Sequence, residues 1–509
     1  MNRKIQKECE STCEYILPDY MGDIKKILNS KARVIPAGRF KDGEQLEING
    51  VVEYEVLYSD SENKLTAVQT TSDYSMNVAV DGDNYIDSSD ATTASNLSIR
   101  ITGPRKMVIK STVESFVTIT EETDFKVEGD VFDGSREPEY VKRSVEYAES
   151  LYGMSAEREY AEEAERIPGV SAEEIEIITT GASVRITEAR AVDGGVEIRG
   201  EIIAIAIIKT PEQPPYTIKK SIPFNETISI EGATADMSAL ADGYVTSATC
   251  GVNYDTNESV VVVNAIVEYK AEVIENKTID VVSDAYLKEQ GTKNSYSEIE
   301  YRRADGASIG EMTVDLKVAR SELMLDTVQS ILCADAEFLI SEAKAWHNGV
   351  KFEGEINISG IACEINADNS VGFVPIKIKR PFEENVNISC QIPENSQIEY
   401  TVSTVECVPT LDSDFLYLRC VAGVKIKLFA DEKMTCLTSC EVVEGEQFLK
   451  NTSSVTVYYP TESENLFDIA KRFHSSVAKI ARDNSIAEET ISLPDTPSSL
   501  SGLKKIIIR

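Results

Sequence analysis

Histidine and tryptophan are almost missing from this chain, which has two His (His347 and His474) and one Trp in 509 residues. So few imidazoles leave little material for histidine-based zinc sites or for Ser–His–Asp chemistry. Basic side chains are also scarce: 51 Lys and Arg stand against 86 Asp and Glu, a formal net charge of −35. A surface that negative repels phosphate backbones and anionic headgroups, so nucleic acid and bare membrane are poor partners. No stretch approaches the ~18 apolar residues that a membrane span needs. The first 23 residues are interrupted by Glu10, Glu14 and Asp19, so no signal peptide and no transmembrane segment are expected. The expected compartment is therefore the cytoplasm. Ten Cys fit that compartment as reduced thiols. Cys9 and Cys13, and Cys436 and Cys440, are spaced by four, and the rest are scattered, so no metal and no cofactor are expected.

Catalytic motifs are equally thin. Gly306-Ala307-Ser308-Ile309-Gly310 has the G-x-S-x-G form of a hydrolase elbow, but polar Tyr301-Arg302-Arg303-Ala304-Asp305 precedes it where an apolar strand is required. P-loop, dinucleotide and H-E-x-x-H patterns are lacking. Carboxylates are too numerous for a glycosidase-like pair to be singled out. The expectation is a protein without catalytic residues, not an enzyme.

What the chain does have is internal repetition. Ile27-Leu28-x-x-x-Ala32-x-Val34 recurs as Ile177-Ile178-x-x-x-Ala182-x-Val184 and as Ile331-Leu332-x-x-x-Ala336-x-Phe338. Gly50, Gly200 and Gly354 each follow the Ala by 18 residues and close an alternation such as Val196-x-Ile198-x-Gly200. Asp42-Gly43, Asp193-Gly194 and Asn348-Gly349 precede these alternations and read as hairpin turns. Tyr74, Phe224 and Phe382 follow the Gly by 24, 24 and 28 residues. Period-two patterns such as Val52, Tyr54, Val56, Tyr58 predict strands with one buried face. A Gly inside such a strand predicts a bulge or a close backbone approach.

Each copy has the size of a β-sandwich. The I-L-x-x-x-A-x-V start, the D-G-x-V-x-I-x-G hairpin, and Pro223-Phe224 and Pro381-Phe382 resemble the SPOCS domain of spore coat assembly proteins; the first copy has Asp73-Tyr74 instead. The expected organisation is a mainly β chain of three tandem β-sandwich-like SPOCS repeats plus a small βααβ LysM-like domain. Its boundaries are repeat 1 at 10–122, an acidic linker at 123–154, repeat 2 at 155–276, a linker at 277–312, repeat 3 at 313–447 and the LysM-like domain at 453–509. Between Glu121 and Glu176 there are 18 acidic and 6 basic residues, read as solvated linker, with helix expected around Ser155 to Arg166.

The last segment has its own pattern. Val455-Thr456-Val457-Tyr458 reads as a strand, and Leu466, Ile469, Ala470 and Phe473 form a helical stripe. Ser475-Ser476 precede a second helix with Val477, Ile480 and Ala481 inward; Asn484 ends it, and Lys505 to Ile508 closes as a strand. This β-α-α-β order and the run Leu466 to Phe473 resemble the LysM domain. That resemblance implies a groove between the loop before the first helix and the loop after the second. Its residues here are Pro460, Thr461, Glu462, Ser463, Glu464 and Asn465, then Phe467, Asn484, Ser485 and Ile486. Ser463-Glu464-Asn465 stands where the family commonly has Gly-Asp-Thr, and Ser501-Gly502 where it has Pro-Gly; backbone approach to a sugar is easier with Gly.

Three SPOCS-like domains and a LysM-like module resemble the layout of SipL-type spore morphogenetic proteins. The resemblance implies a non-enzymatic scaffold in spore envelope assembly, made in the mother-cell cytoplasm and carried to the spore envelope surface. Its implied partner is a spore morphogenetic protein, a coat-basement ATPase, met through the LysM-like module near Phe467, Asn484, Ser485 and Ile486. The competing expectation is binding of peptidoglycan, the N-acetylglucosamine-containing glycan of the spore cortex or cell wall.

Overall fold

The computed structural model describes residues 2–83, 85–121, 127–132, 134, 136–255, 258–325, 327–346, 348–366, 370–388, 392–393, 396–447, 455–461, 464–486 and 505–508. Strands dominate, and they assemble into repeated two-sheet units. The first unit contains β1 (Asn2–Ile16), β2 (Ile24–Asp42), β3 (Gln45–Asp60), β4 (Leu65–Ala79), β5 (Tyr85–Gly103) and β6 (Lys106–Glu121). One of its sheets has the order β2-β3-β4, and the other β1-β6-β5, so the first strand pairs with the last. β7 (Glu139–Met154) leads into a second unit of β8 (Arg158–Pro168), β9 (Glu176–Val192), β10 (Gly195–Lys209), β11 (Tyr216–Ser229), β12 (Ser238–Asp255) and β13 (Glu258–Tyr286). A third comprises β14 (Gln290–Ala319), β15 (Val328–Trp346), β16 (Gly349–Ile365), β17 (Val371–Asn387), β18 (Gln397–Leu411) and β19 (Phe415–Gln447). Both repeat the first unit's pairing, with β8 or β14 on the unit's last strand.

Alternation builds each core. On β3, Leu46, Ile48, Val52, Tyr54, Val56 and Tyr58 are buried, and Val52, Tyr54 and Val56 pack with Met107, Ile109 and Val113 of the facing sheet. The run Ile202 to Ile208 on β10 is buried on both faces at most positions, as a central covered strand requires.

The three central hairpins share one geometry. Each turn is closed by a pair with two residues between: Asp42 with Gln45, Val192 with Gly195, and Trp346 with Gly349. The closing residue lies five positions before Gly50, Gly200 or Gly354 in every copy. The sequence cue wandered because turn residues differ: Gly43 and Gly194 have positive φ at the tip, whereas Gly349 begins its strand. Opposite each central Gly, the neighbouring strand carries an extra residue, Ala37, Thr187 or Ser341. On the other side the Gly faces the repeat's aromatic, in the pairs Gly50 with Tyr74, Gly200 with Phe224 and Gly354 with Phe382. A Cβ at Gly200 would lie 2.0 Å from the Arg185 carbonyl oxygen and 2.8 Å from the Phe224 ring. The Gly is there so that a bulge and an aromatic ring can both close over it.

A second bulge recurs in the strand that opens each hairpin. Leu28, Ile178 and Leu332, the second residues of the repeated I-L, I-I and I-L pairs, are each the extra residue. The bulge turns them away from their own cores and into one shared apolar cluster with Leu57, Leu65, Ile207 and Ile361. Beside that cluster Lys31 Nζ lies 2.8 Å from Glu55 Oε2 and 3.7 Å from Asp335 Oδ1. Asn29 Nδ2 donates to Asp335 Oδ2 at 2.9 Å, and Thr179 donates to Glu55. Lys31, Gly181 and Asp335 occupy the same position in the three copies, directly before the repeat's Ala. A pseudo-symmetric site thus holds a cation, a gap and an anion. Burial pushes the Glu55 carboxyl up, but Lys31, Thr179 and Gln69 outweigh it and hold it below the usual range. Because 47% of the Lys31 side chain reaches solvent, screening keeps this pair's contribution modest.

One expectation is corrected here. The helix expected around Ser155 to Arg166 is strand β8, paired with the apolar first half of β13. Its Glu and Ala are good helix formers, but sheet pairing that packs Tyr160 and Ala164 on the core overrides that local preference. The stretches 123–154 and 277–312, expected as linkers, carry β7, the end of β13 and most of β14. They form two long ribbons, β7 with β13 from Lys270 to Tyr286, and β14 with β19 from Asp431 to Gln447. The ribbons meet through Val145, Val281, Met434 and Cys436. A two-stranded ribbon buries only one narrow face, so its sequence stays highly charged and resembles a connector.

Gly200→Ala should lower stability by about 3 kcal/mol, whereas Gly251→Ala, with open space around its Cβ position, should be near neutral; urea midpoints of the two variants test this. Glu55→Gln should lower the melting temperature at neutral pH. A depressed folded-state pKa contributes stability only above the unfolded value, so wild type and variant should converge as pH falls below about 4.

Candidate functional site in the C-terminal module

The C-terminal module has the order β20 (Thr456–Tyr458), α1 (Leu466–Arg472), α2 (Val477–Asp483) and β21 (Ile506–Ile508), with β20 antiparallel to β21. Leu466, Ile469, Ala470, Ile480, Ala481, Ile506 and Ile508 form its core, as the helical stripe predicts. Asn465 caps α1, its side chain accepting from the Asp468 amide at 2.8 Å. These helices have only seven residues each, so tertiary packing rather than propensity holds them.

The ten candidate groove residues divide into distinct groups. Glu462 and Ser463 lie outside the described residues. Glu464 is fixed from three sides: Tyr458 Oη donates at 2.7 Å, the Thr461 amide at 3.0 Å and Arg472 Nη1 at 2.8 Å. The Thr461 amide and the Tyr458 hydroxyl, with Arg472 behind them, bring its carboxyl down to about 2. Asn484 bolts α2 to β21, donating to the Ile480 and Ile507 carbonyls at 2.8 and 2.7 Å while its Oδ1 accepts from the Ile507 amide at 2.7 Å. Ser485 is exposed with φ 56°, and the Ile486 amide closes the helix end on the Ala481 carbonyl. Ile486 packs against the module core. Pro460 and Thr461 remain at the surface beside exposed Tyr459.

Phe467 is turned inward. It is 8% exposed and sits edge-on to Tyr286, the last residue of β13, with ring centroids 5.3 Å apart. Tyr286 Oη donates to the Ser475 carbonyl at 2.7 Å, and Lys471 pairs with Asp284. Val141 of β7 completes the contact. The module is thus docked on the tip of the first ribbon, above a cleft of about 260 Å³ lined in part by Arg143, Tyr296, Asn465 and Asp468. Burial and the nearby Asp284 hold the Asp468 carboxyl above its usual range. Sequence reasoning missed Tyr286 and Asp284 because they lie within the stretch taken for a linker.

The G-x-S-x-G segment is continuous strand, Gly306–Gly310 pairing with Leu428–Val424, and Ser308 is buried there. The strand-to-helix elbow that would expose a nucleophile is replaced by sheet that runs on to Ala319. His347 lies outside the described residues. Among the described residues, no group of three or more His, Cys, Asp or Glu could hold a metal ion, and no helix is long and apolar enough to cross a membrane.

The fold is that of a mainly β protein built from several antiparallel sheets. Residues 174–253 match the family described as SipL, SPOCS domain. The matched segment covers all of β9, β10 and β11 and nearly all of β12, so it contains the bulged hairpin around Gly200. A SipL-like SPOCS domain is therefore present in the second unit, over 80 of the 509 residues, and in general terms it supports a sporulation-related, non-catalytic scaffolding role. No curated protein and no solved structure matches the chain.

Tyr286→Phe should remove one buried hydrogen bond and weaken module docking by about 1–2 kcal/mol. The observable is faster amide exchange at α1 with the exchange of β10 unchanged. A carboxyl-carbon NMR titration should find the Glu464 midpoint near about 2; its contribution to the module is present above the ordinary glutamate range and is lost as pH falls toward that value.

Proposed function

We propose that the chain is a non-enzymatic scaffold of spore envelope assembly, with SPOCS repeats at 10–122, 155–276 and 313–447 and a LysM-like module at 453–509. The observation that carries this reading is the shared hairpin geometry. The Gly200 hairpin lies inside the matched SPOCS segment, and the Gly50 and Gly354 hairpins repeat its turn position, its bulge and its facing aromatic. In this reading 123–154 and 277–312 connect the repeats as paired ribbons.

The LysM-like module is the part that meets a partner, a coat-basement morphogenetic ATPase, once the chain has left the mother-cell cytoplasm for the forespore surface. A protein partner suits the loops better than peptidoglycan does. Sugar recognition needs polar groups free to hydrogen-bond, and Glu464, Asn465 and Asn484 spend theirs on the module's own backbone and side chains. Among the described residues of the two loops, Pro460, Thr461, Ser485 and the neighbouring Tyr459 lie at the surface. Several weak contacts along one chain add through effective concentration.

Two measurements test the proposal. A fluorescent fusion of the full chain should coat the forespore and lose that signal when residues 453–509 are removed; unchanged localisation would assign targeting to the β units. Purified peptidoglycan should not retain the full chain saturably; retention that disappears with the same truncation would move the module to glycan binding.

A further inference from the structure

Nine of the ten cysteines are described, all as free thiols, and one pair stands apart from the rest. Cys407 on β18 and Cys420 on β19 are direct cross-strand partners, with Sγ atoms 3.3 Å apart. The pairs spaced by four do not come together in this way. Residues four apart on one strand are separated by about 13 Å. Cys13 instead lies against Thr70, Cys436 against Ser297, and Cys440 against Asn294. Cys407 is half-buried and Cys420 fully buried, so Cys407 is the more accessible of the two residues.

Their position in the fold gives the pair a consequence. Two residues before Cys407, Val405 is an extra residue in the β18 ladder. Its side chain packs on Ile203 of the second unit and on Val421, and its carbonyl accepts from Ser183 Oγ at 2.6 Å. Glu406 pairs with Lys219, also of the second unit. The strand segment that carries Cys407 is therefore a main contact between the second and third units.

We propose that Cys407 and Cys420 are an oxidative modification site, converted to an intramolecular disulfide that ties β18 to β19 within the third unit, beside its contact with the second. The oxidant is a low-molecular-weight disulfide. The Cys407 thiolate attacks one sulfur of that disulfide, forming a mixed disulfide and releasing one small thiolate. The Cys420 thiolate then attacks the Cys407 sulfur, forms the protein disulfide and releases the second small thiolate. One disulfide is consumed, one is formed, and the two protons lost by the cysteines end on the two small thiols. The neighbouring Cys420 sulfur and burial hold the Cys407 thiol above its ordinary value, which slows the first step relative to a surface cysteine. The link fixes β18 to β19 beside the Val405 bulge and so restricts the opening of the contact with the second unit.

The test uses the full chain incubated with excess oxidised glutathione, then quenched in acid, denatured, alkylated and mapped by mass spectrometry. The expected product is a single linked pair of peptides carrying Cys407 and Cys420, lighter by two hydrogens, with no glutathione retained. Its melting temperature should exceed that of the reduced chain by several degrees. Cys407→Ser should abolish both the link and the shift. The proposal is overturned if both cysteines are recovered alkylated, if Cys407 keeps its glutathione, if the link joins other cysteines, or if the linked chain melts no higher than the reduced one.

Discussion

Leu28, Ile178 and Leu332 each stand in a bulge, and the relation between the three units depends on that extra residue. In a regular strand, side chains alternate between the core of the sandwich and water, and neither direction offers a neighbouring unit an apolar group at this position. One inserted residue breaks the alternation and points a leucine or isoleucine sideways. Because the insertion falls at the same place in each copy, the three side chains reach one cluster. Ion pairs such as Lys64 with Glu176 and Lys427 with Glu272 then fix the orientation around it. They are partly exposed and contribute less than the burial they surround.

That arrangement explains why duplication did not simply produce three equal beads. Position 31 is Lys, its counterpart at 181 is Gly and at 335 is Asp. Three equal charges there would repel, and three large side chains would collide. The divergence lets one ammonium lie near two carboxylates while the second copy leaves room, Gly181 coming within 3.8 Å of Lys31 Nζ at its would-be Cβ. The units are thus alike in backbone and distinct in the residues where they touch.

Much of this was legible in the residues. Gly50, Gly200 and Gly354 announced a bulge or a close backbone approach, and a bulge lies opposite each on the neighbouring strand; the aromatics at fixed offsets face those glycines across the ladder. The helical stripe from Leu466 to Phe473 and the closing Ile506–Ile508 strand also follow the pattern of the sequence. Charged ribbons were not legible, because half-exposed paired strands and solvated connectors have the same composition. The glutamate-rich β8 read as helix for a similar reason, since its partner strand lies about a hundred residues away. At the candidate groove, residue type suggested polar groups awaiting a ligand. Whether Asn484 or Glu464 is occupied depends on the Ile507 amide and on Arg472, brought close only by folding. Phe467 was the hardest to place, since its cover, Tyr286, comes from a strand 180 residues upstream.

The ribbon between the second unit and the C-terminal module has a mechanical meaning. From Lys270 to Tyr286, β13 continues as one extended strand braced by β7, and at about 3.3 Å per residue it reaches on the order of 55 Å. A second ribbon lies against it, which stiffens it as a flange stiffens a beam. The C-terminal module is thereby held at a set height from the three-unit body. That height is written in the number of residues that keep the strand going.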